Sequence, residues 1–412
     1  MSNLSEKPNQ RRWREMIFLA MLAACPPLST DMYLPAIPTI AESWQVALST
    51  VNLSLVLWFV GFSIALLISG PLSDRHGRKP VLMGGLVLFT LASLGSAVSL
   101  NVTMLITCRI LQGIGAGGPS AMCLAICRDR YEGLERKKVL ATVSVLLTLA
   151  PMLSPSIGTL MLSQFQWQAI FILQAGFGVL LIILSLFQHE SAAQLIDTPL
   201  LKLMGRYGKL TSNRNYIRST IALGILIGPY LGYVAIAPIV YIKLYGLSEG
   251  WFSFFFAFNA ILYMIGAMCS TRISHHVGDH RLLTACILGT VVGGIGIISV
   301  GHLSPWAFAL TMGLITSCFG MTRPISQHII LEQVQTDVGA ASSMLVFFQF
   351  IVGAICMTLA GLGWPSPISA FGIMAVSFAI VVIILWLAIK KQLLNHENLE
   401  PENQEPPKIE AC

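Results

Sequence analysis

The stretch Gly70-Pro71-Leu72-Ser73-Asp74-Arg75-His76-Gly77-Arg78-Lys79-Pro80 decides the fold. It stands between two apolar runs, at 50–72 and 80–100, and each residue type in it has a mechanical use. Gly70 and Pro71 permit close packing and end the first run, and Gly77 tolerates the positive φ of a tight return. Pro80 suits the first turn of the following helix, where its missing N–H is harmless. Arg75, Arg78 and Lys79 hold the loop on one side of a membrane, and Asp74 is placed to cap a helix or pair with a cation. The stretch describes a short loop between two membrane-spanning helices.

The same alternation runs through the whole chain. Its 412 residues are 55% hydrophobic and 11% charged, with a mean hydropathy of +0.74. Soluble domains carry about 25% charged residues, so this chain has too little polar surface for a water-soluble globule. Apolar runs lie at 16–40, 50–72, 80–100, 103–126, 138–162, 168–188, 215–243, 250–271, 282–301, 305–326, 338–361 and 366–390. Each is close to the ~20 residues that cross a bilayer, which predicts an all-α membrane protein with twelve spans. The basic residues ahead of the first run (Lys7, Arg11, Arg12, Arg14) look like the start of a signal peptide. No small-residue cleavage site follows, however, so the run is read as an uncleaved span. Most of the nine cysteines fall inside apolar runs, and Cys123 and Cys127 have no matching His or Cys cluster. Free packing thiols are expected, with no metal and no cofactor.

Charge sets the orientation. Lys and Arg gather at the N-terminus, at 75–79, 128–138, 202–218, 272–281, 323 and 390–391, which are alternate connections; the others carry almost none, Lys243 excepted. Under the positive-inside rule both termini are cytoplasmic. The net charge of +6 is thus distributed by membrane side and does not point to nucleic acid. The charged connection 189–214 separates two six-span halves, 16–188 and 215–391, behind a cytoplasmic tail at 1–15. The segment 392–412 is acidic and Pro-rich and is expected to be disordered. Gly278, with Ser274 four residues before it, repeats Gly77 with Ser73. A duplicated bundle is the expectation, and transporters bind substrate near the midplane between such repeats.

The 70–80 string resembles the signature loop of the major facilitator superfamily. The resemblance implies two pseudosymmetric six-helix lobes and alternating access. It also implies a cytoplasmic conformational latch at Gly70, Asp74, Arg75, Gly77 and Arg78, acting with Asp129 and Arg130 of the next basic loop. Importers and exporters share this loop, so it does not identify the cargo. The second copy, Arg272-Ile273-Ser274-His275-His276-Val277-Gly278, has His275 where Asp74 stands, which places the stronger latch in the first half.

Asp31 is the one carboxylate well inside an apolar run, and Arg109 is the deep base of the fourth run. A charge at a helix centre costs roughly 2.5–3.5 kcal/mol on insertion scales, so each calls for a reason. Counted from Met16, Asp31 lies about 22 Å along its helix, some 8 Å below the outer face; Arg109, counted from Met104, reaches about the same depth. The two are therefore expected to meet, directly or through water. Burial favours the neutral form of a carboxyl group and a nearby cation favours the charged form, a balance suited to proton exchange. Asp31 is read as the carrier of a coupling proton and Arg109 as the group that tunes it.

Further strings refine the resemblance. Ser29-Thr30-Asp31-Met32-Tyr33-Leu34-Pro35-Ala36-Ile37-Pro38 is similar to the first span of the Bcr/CflA drug-resistance branch. Arg109-Ile110-Leu111-Gln112-Gly113-Ile114-Gly115-Ala116-Gly117 is similar to the span-4 pattern assigned to proton handling. Ala150-Pro151-Met152-Leu153-Ser154-Pro155-Ser156-Ile157-Gly158 resembles the antiporter motif of exporters, with Ser154 and Ser156 where the fuller pattern has glycine. Pro151, Pro155 and Gly158 would give one face that is kinked and free of bulk.

Candidate substrate contacts are Tyr33, Gln112, Tyr230, Tyr233, Asn259, Tyr263, Phe347 and Gln349, in spans that would line a central cavity. Arg323-Pro324, near the inner end of its span, has two readings, a contact for anions and, favoured, a loop charge snorkelling from the membrane. No H-E-x-x-H, G-x-S-x-G or nucleotide-binding G-x-x-x-x-G-K-[ST] string occurs, so the chain is read as neither an enzyme nor a nucleotide-driven pump. The expectation is a monomeric, proton-coupled exporter of drugs or other small amphipathic compounds in the bacterial inner membrane. The alternative is a same-fold exporter, or less favoured an importer, of a metabolite or siderophore.

Overall fold

The computed structural model describes residues 8–191, 195 and 200–397. In hydrocarbon the backbone must satisfy its own polar groups, and every described crossing is helical. Ten segments are long and apolar enough to cross a membrane by length and composition. They are span 1 (Trp13–Ser43), span 2 (Leu48–His76), span 3 (Arg78–Ala97), span 4 (Val102–Arg130), span 6 (Gln168–Leu186), span 7 (Arg214–Leu244), span 8 (Glu249–Val277), span 9 (Asp279–Val300), span 11 (Val338–Gly361) and span 12 (Pro367–Lys390). Two further helices of 32 and 28 residues, span 5 (Gly133–Gln164) and span 10 (Pro305–Glu332), complete the expected twelve.

The ends differ from the reading. The first helix starts at Pro8, inside the segment taken as a polar tail, and the last continues to Glu397, past the expected boundary at 390. The rest of the expected acidic tail, 398–412, lies outside the described residues, as do 1–7 and most of 192–199. The connection at 189–214 holds an amphipathic linker helix, Leu200–Ser212. Asn213 then caps span 7, its Oδ1 accepting from the backbone of Asn215 and Tyr216, both at 3.1 Å.

Packing repeats across the halves. Spans 2 and 4, 3 and 4, 3 and 6, and 1 and 5 pack together, and so do their counterparts 8 and 10, 9 and 10, 9 and 12, and 7 and 11. The halves meet through spans 2 and 11 and spans 5 and 8, again related by the pseudo-twofold. Close crossings use glycine in both copies: a Cβ on Gly113 would strike the Trp58 carbonyl of span 2, and one on Gly320 the Tyr263 carbonyl of span 8. The faint serine–glycine correspondence turns out to be one backbone device. Gly77 and Gly278 have φ of +94° and +89°, and their N–H groups donate to Ser73 O at 3.0 Å and Ser274 O at 2.7 Å. The eight described cysteines are free, and six are buried as packing thiols.

Candidate functional site

A cavity of about 890 Å³ opens between the halves, at the end of the bundle that carries the basic loops and the linker helix. Asp31, Tyr230, Tyr263, Arg323, Phe59, Phe62 and Phe350 line its interior, and Asp74, Arg78, Arg128, Arg206 and Asp337 its mouth. The opposite end is shut by contacts between the halves. Lys243 of span 7 pairs with Glu42 of span 1, and Thr159 of span 5 bonds Glu249 O at 3.1 Å and Ser253 Oγ at 2.8 Å. Phe350 packs against Phe59 and Phe62 at centroid distances of 5.4 and 5.3 Å. The Glu42 carboxylate is largely exposed, and exposed pairs are worth about 0–1 kcal/mol, so this closure is inexpensive to open.

Span 1 shapes the interior because its prolines break it. The helix from Pro8 ends at Asp31; Leu34–Ala36 forms a 3₁₀ turn, and a second helix runs Ile37–Ser43. Tyr33 N bonds Thr30 O at 3.2 Å, so the Ser29 carbonyl has lost its helical donor. Arg109 Nη1 and Gln174 Nε2 take it, at 3.1 and 3.2 Å. Arg109 Nη1 also donates to Ser29 Oγ and to Gln112 Oε1, and Gln112 Nε2 donates to Ser93 Oγ and Gln174 Oε1 at 2.7 and 2.8 Å. The Arg109 guanidinium lies 4.7 Å from the Tyr33 ring centroid. Spans 1, 3, 4 and 6 are thus tied around a fully buried cation.

The expected meeting of Asp31 and Arg109 does not occur. Asp31 faces the cavity, with Thr30 Oγ1 donating to its Oδ1 at 2.9 Å and no cation paired with it among the described residues, while Arg109 faces the core of its own half. The heights do match, since Arg109 bonds Ser29 and lies over Tyr33, two residues to either side of Asp31. What separates the pair is facing: the carboxylate lines the cavity between the halves, and the guanidinium points into its own lobe.

The loop residues assemble around Arg78 rather than Asp74. Its guanidinium donates to Asp74 Oδ1 and Ser73 Oγ at 2.6 Å and to Asp129 Oδ2 at 2.8 Å, with the side chain 8% exposed. Gly77 lets Glu190 reach the start of span 3, where it accepts from the backbone N–H of Arg78 and Lys79 at 2.8 and 3.0 Å. Lys79 Nζ in turn caps the end of span 6 through Leu186 O and Gln188 O. Arg75 is exposed, and Arg130 turns away to Gln188 and Glu15. Breaking a buried ion pair from one side costs about 3–5 kcal/mol. Arg78→Gln is therefore expected to lower the melting temperature of the purified protein substantially, and Arg75→Gln to leave it at the wild-type value. Equal melting of the two variants would contradict this arrangement.

The proline-rich face of span 5 packs on the break of span 1. A Cβ on Gly158 would overlap the Met32 carbonyl and meet Pro35 Cγ at 3.2 Å, and Ser154 is buried with its hydroxyl donating to Ala150 O at 2.6 Å. Pro151 lines the cavity, and Pro155 is buried.

Of the proposed substrate contacts, Tyr230 and Tyr263 line the cavity. Tyr33 and Gln112 belong to the Arg109 cluster, with Tyr33 Oη 2.8 Å from Ser54 Oγ. Tyr233 packs on Phe256 and Phe308, Asn259 bonds Phe255 O and Thr316, and Phe347 and the buried Gln349 stand off the cavity wall. Arg323 is not the loop charge expected. Span 10 continues to Glu332, which sets Arg323 nine residues inside its end, where Nη1 donates to Tyr263 Oη at 3.0 Å. The apolar run had been closed at 326, three residues past the arginine, which hid its depth.

A sequence model of the Major Facilitator Superfamily matches residues 19–357. Among curated proteins, the chain is 29% identical over 383 residues to "Uncharacterized MFS-type transporter YdgK" of Bacillus subtilis, covering 91% of this chain and 94% of that one. It is 26% identical over 377 residues to "Multidrug resistance protein MdtL" of Salmonella paratyphi C, covering 90% and 95%. Among solved structures, a peptide transporter POT superposes with a TM-score of 0.75 at 15% identity, over 92% of this chain and 94% of that one. That likeness speaks for the fold alone.

Proposed function

The chain belongs to the major facilitator superfamily, a multi-pass membrane transporter of small molecules, and from that premise we propose that it exports amphipathic compounds in exchange for protons. The observation that carries the reading is Asp31: an acid without a paired cation among the described residues, lining a cavity walled by aromatic side chains. An acid so placed exchanges its proton with whichever side the cavity faces. The relative named as a multidrug resistance protein supports the choice of cargo, and the span-5 face around Gly158 supports exchange over symport.

In this reading the basic end faces the cytoplasm, as the positive-inside rule directs, and both termini lie there, in a bacterial inner membrane. The conformation is then open to the cytoplasm and closed outside. Substrate enters as Asp31 gives its proton to the cytoplasm, the Glu42–Lys243 contact opens, and protonation from outside returns the lobes. The Arg78 network is the latch that holds one lobe rigid while the halves rock. One chain contains the whole cavity, so a monomer suffices. Residues 16–188 and 215–391 act as the two lobes, joined by 189–214.

The test is accumulation of rhodamine 123 in proteoliposomes with an acidic lumen. Exchange of one monovalent cation for one proton moves no net charge, so the ratio should approach about tenfold per pH unit, since 1.4 kcal/mol is a factor of ten. Nigericin should abolish it. Accumulation that survives collapse of the pH gradient would refute proton coupling.

A further inference from the structure

The cavity holds two charges that lack an ionic partner among the described residues, and they sit on opposite lobes. At the mouth, Arg78 is bonded to Asp74, Arg206 lies 3.8 Å from Asp337, and Arg128 lies 3.7 Å from Asp129. Deeper in, and among the described residues, the side chain of Asp31 of span 1 bonds the Thr30 hydroxyl and that of Arg323 of span 10 the Tyr263 phenol, with no ion pair at either. No carboxylate among the described residues lies within ion-pairing distance of Arg323. A guanidinium has five N–H donors in a planar fork, and one phenol oxygen engages one of them. Arg323 lines the cavity, so the rest of its fork is within reach of a ligand there. The fork matches a carboxylate, which it binds through two parallel hydrogen bonds.

The neighbours of Arg323 describe the rest of the ligand. Phe319 and Arg323, at i and i+4, share a face of span 10. Tyr230 and Tyr263 both line the cavity, 5.6 Å apart, and Tyr230 is backed by the buried Phe319 at 5.1 Å, giving an aromatic wall beside the guanidinium. Tyr230 is also within electrostatic reach of both Asp31 and Arg323. A purely anionic ligand would hold the proton on Asp31, which opposes exchange, whereas a cationic group beside Asp31 displaces it.

We propose that Arg323 is a specificity-determining residue for amphipathic aromatic zwitterions. Their carboxylate is held by its guanidinium, their ring lies against Tyr230 and Tyr263, and their cationic nitrogen faces Asp31. The proposal rests on the reading of this cavity as the substrate site. A ligand of this kind bridges the lobes, because its two poles are fixed to different halves.

The test uses purified full-length protein in detergent and two dyes that differ at one group. Rhodamine 110 carries a free carboxylate, and rhodamine 123 is its methyl ester. Wild-type protein should bind rhodamine 110 about tenfold more tightly by fluorescence anisotropy, as a charge-assisted bidentate contact implies. Arg323→Gln should bring the two affinities together without weakening rhodamine 123. Arg323→Lys, which keeps the charge and loses the fork, should retain an intermediate preference and serves as the second variant should the glutamine protein not fold. Absence of a preference for the carboxylate in wild type, or a preference that survives Arg323→Gln, overturns the proposal. Binding in detergent needs neither a gradient nor a direction. A failure of proton-coupled export therefore shows in the proteoliposomes and not in this affinity ratio.

Discussion

Asp31→Asn should reduce pH-driven accumulation of rhodamine 123 from about a hundredfold, at a gradient of two pH units, to no accumulation at all. The amide keeps the shape of the side chain and still accepts from Thr30 Oγ1, so the local geometry of the span-1 break is preserved. What it lacks is a proton to give up. With no cation paired to Asp31, neutralising it strands no partner, and expression and melting temperature should match wild type. The amide also lacks the negative charge that a cationic dye faces, so exchange of labelled for unlabelled rhodamine 123 without a gradient should fall as well. Retention of wild-type pH-driven accumulation by Asp31→Asn would rule the residue out as the proton carrier.

Twelve spans and the loop of residues 70–80 were legible because both are local. Hydropathy length and the placement of Arg and Lys report the crossing of a membrane, whatever the helices pack against. The turns at Gly77 and Gly278 belong to the same class, since only the residue types within a few positions matter. Contacts that depend on how spans meet were not legible. The prolines of span 1 announce a kink, but not that the freed Ser29 carbonyl would be taken by Arg109 and Gln174. That outcome needs spans 4 and 6 at a particular rotation. The pairing of Asp31 with Arg109 failed for the same reason: rise along a helix gives height, which the two share, and facing is set by packing. Phe59, Phe62 and Phe350 line the cavity yet read in sequence like the many aromatics that face lipid. Glu190, which caps span 3 from more than a hundred residues away, carries no local signal at all.

Gly158→Ala tests whether the crossing of spans 5 and 1 sets the closed end of the transporter. The added Cβ has no room: it falls on the Met32 carbonyl, a backbone atom at the break of span 1, and on the Pro35 ring. Backbone cannot rotate away as a side chain does, so the helices must separate, at a cost of about 1–3 kcal/mol for an overpacked methyl group. The separation is transmitted to the lobe contact by the next residue, because Thr159 bonds Glu249 O and Ser253 Oγ of span 8. The closure at that end otherwise relies on an exposed ion pair and aromatic packing, so it has little reserve against the displacement. Gly158→Ala should therefore lower the melting temperature and cut the initial rate of pH-driven rhodamine 123 uptake about tenfold, the factor that corresponds to 1.4 kcal/mol. Ser156→Ala, two residues earlier on an exposed face of the same helix, should leave both at wild-type values. Wild-type melting and transport in Gly158→Ala would mean that span 5 does not bear on the span-1 break. Loss of transport with unchanged melting would place the effect in the lobe contact at Thr159 rather than in the fold of the first half.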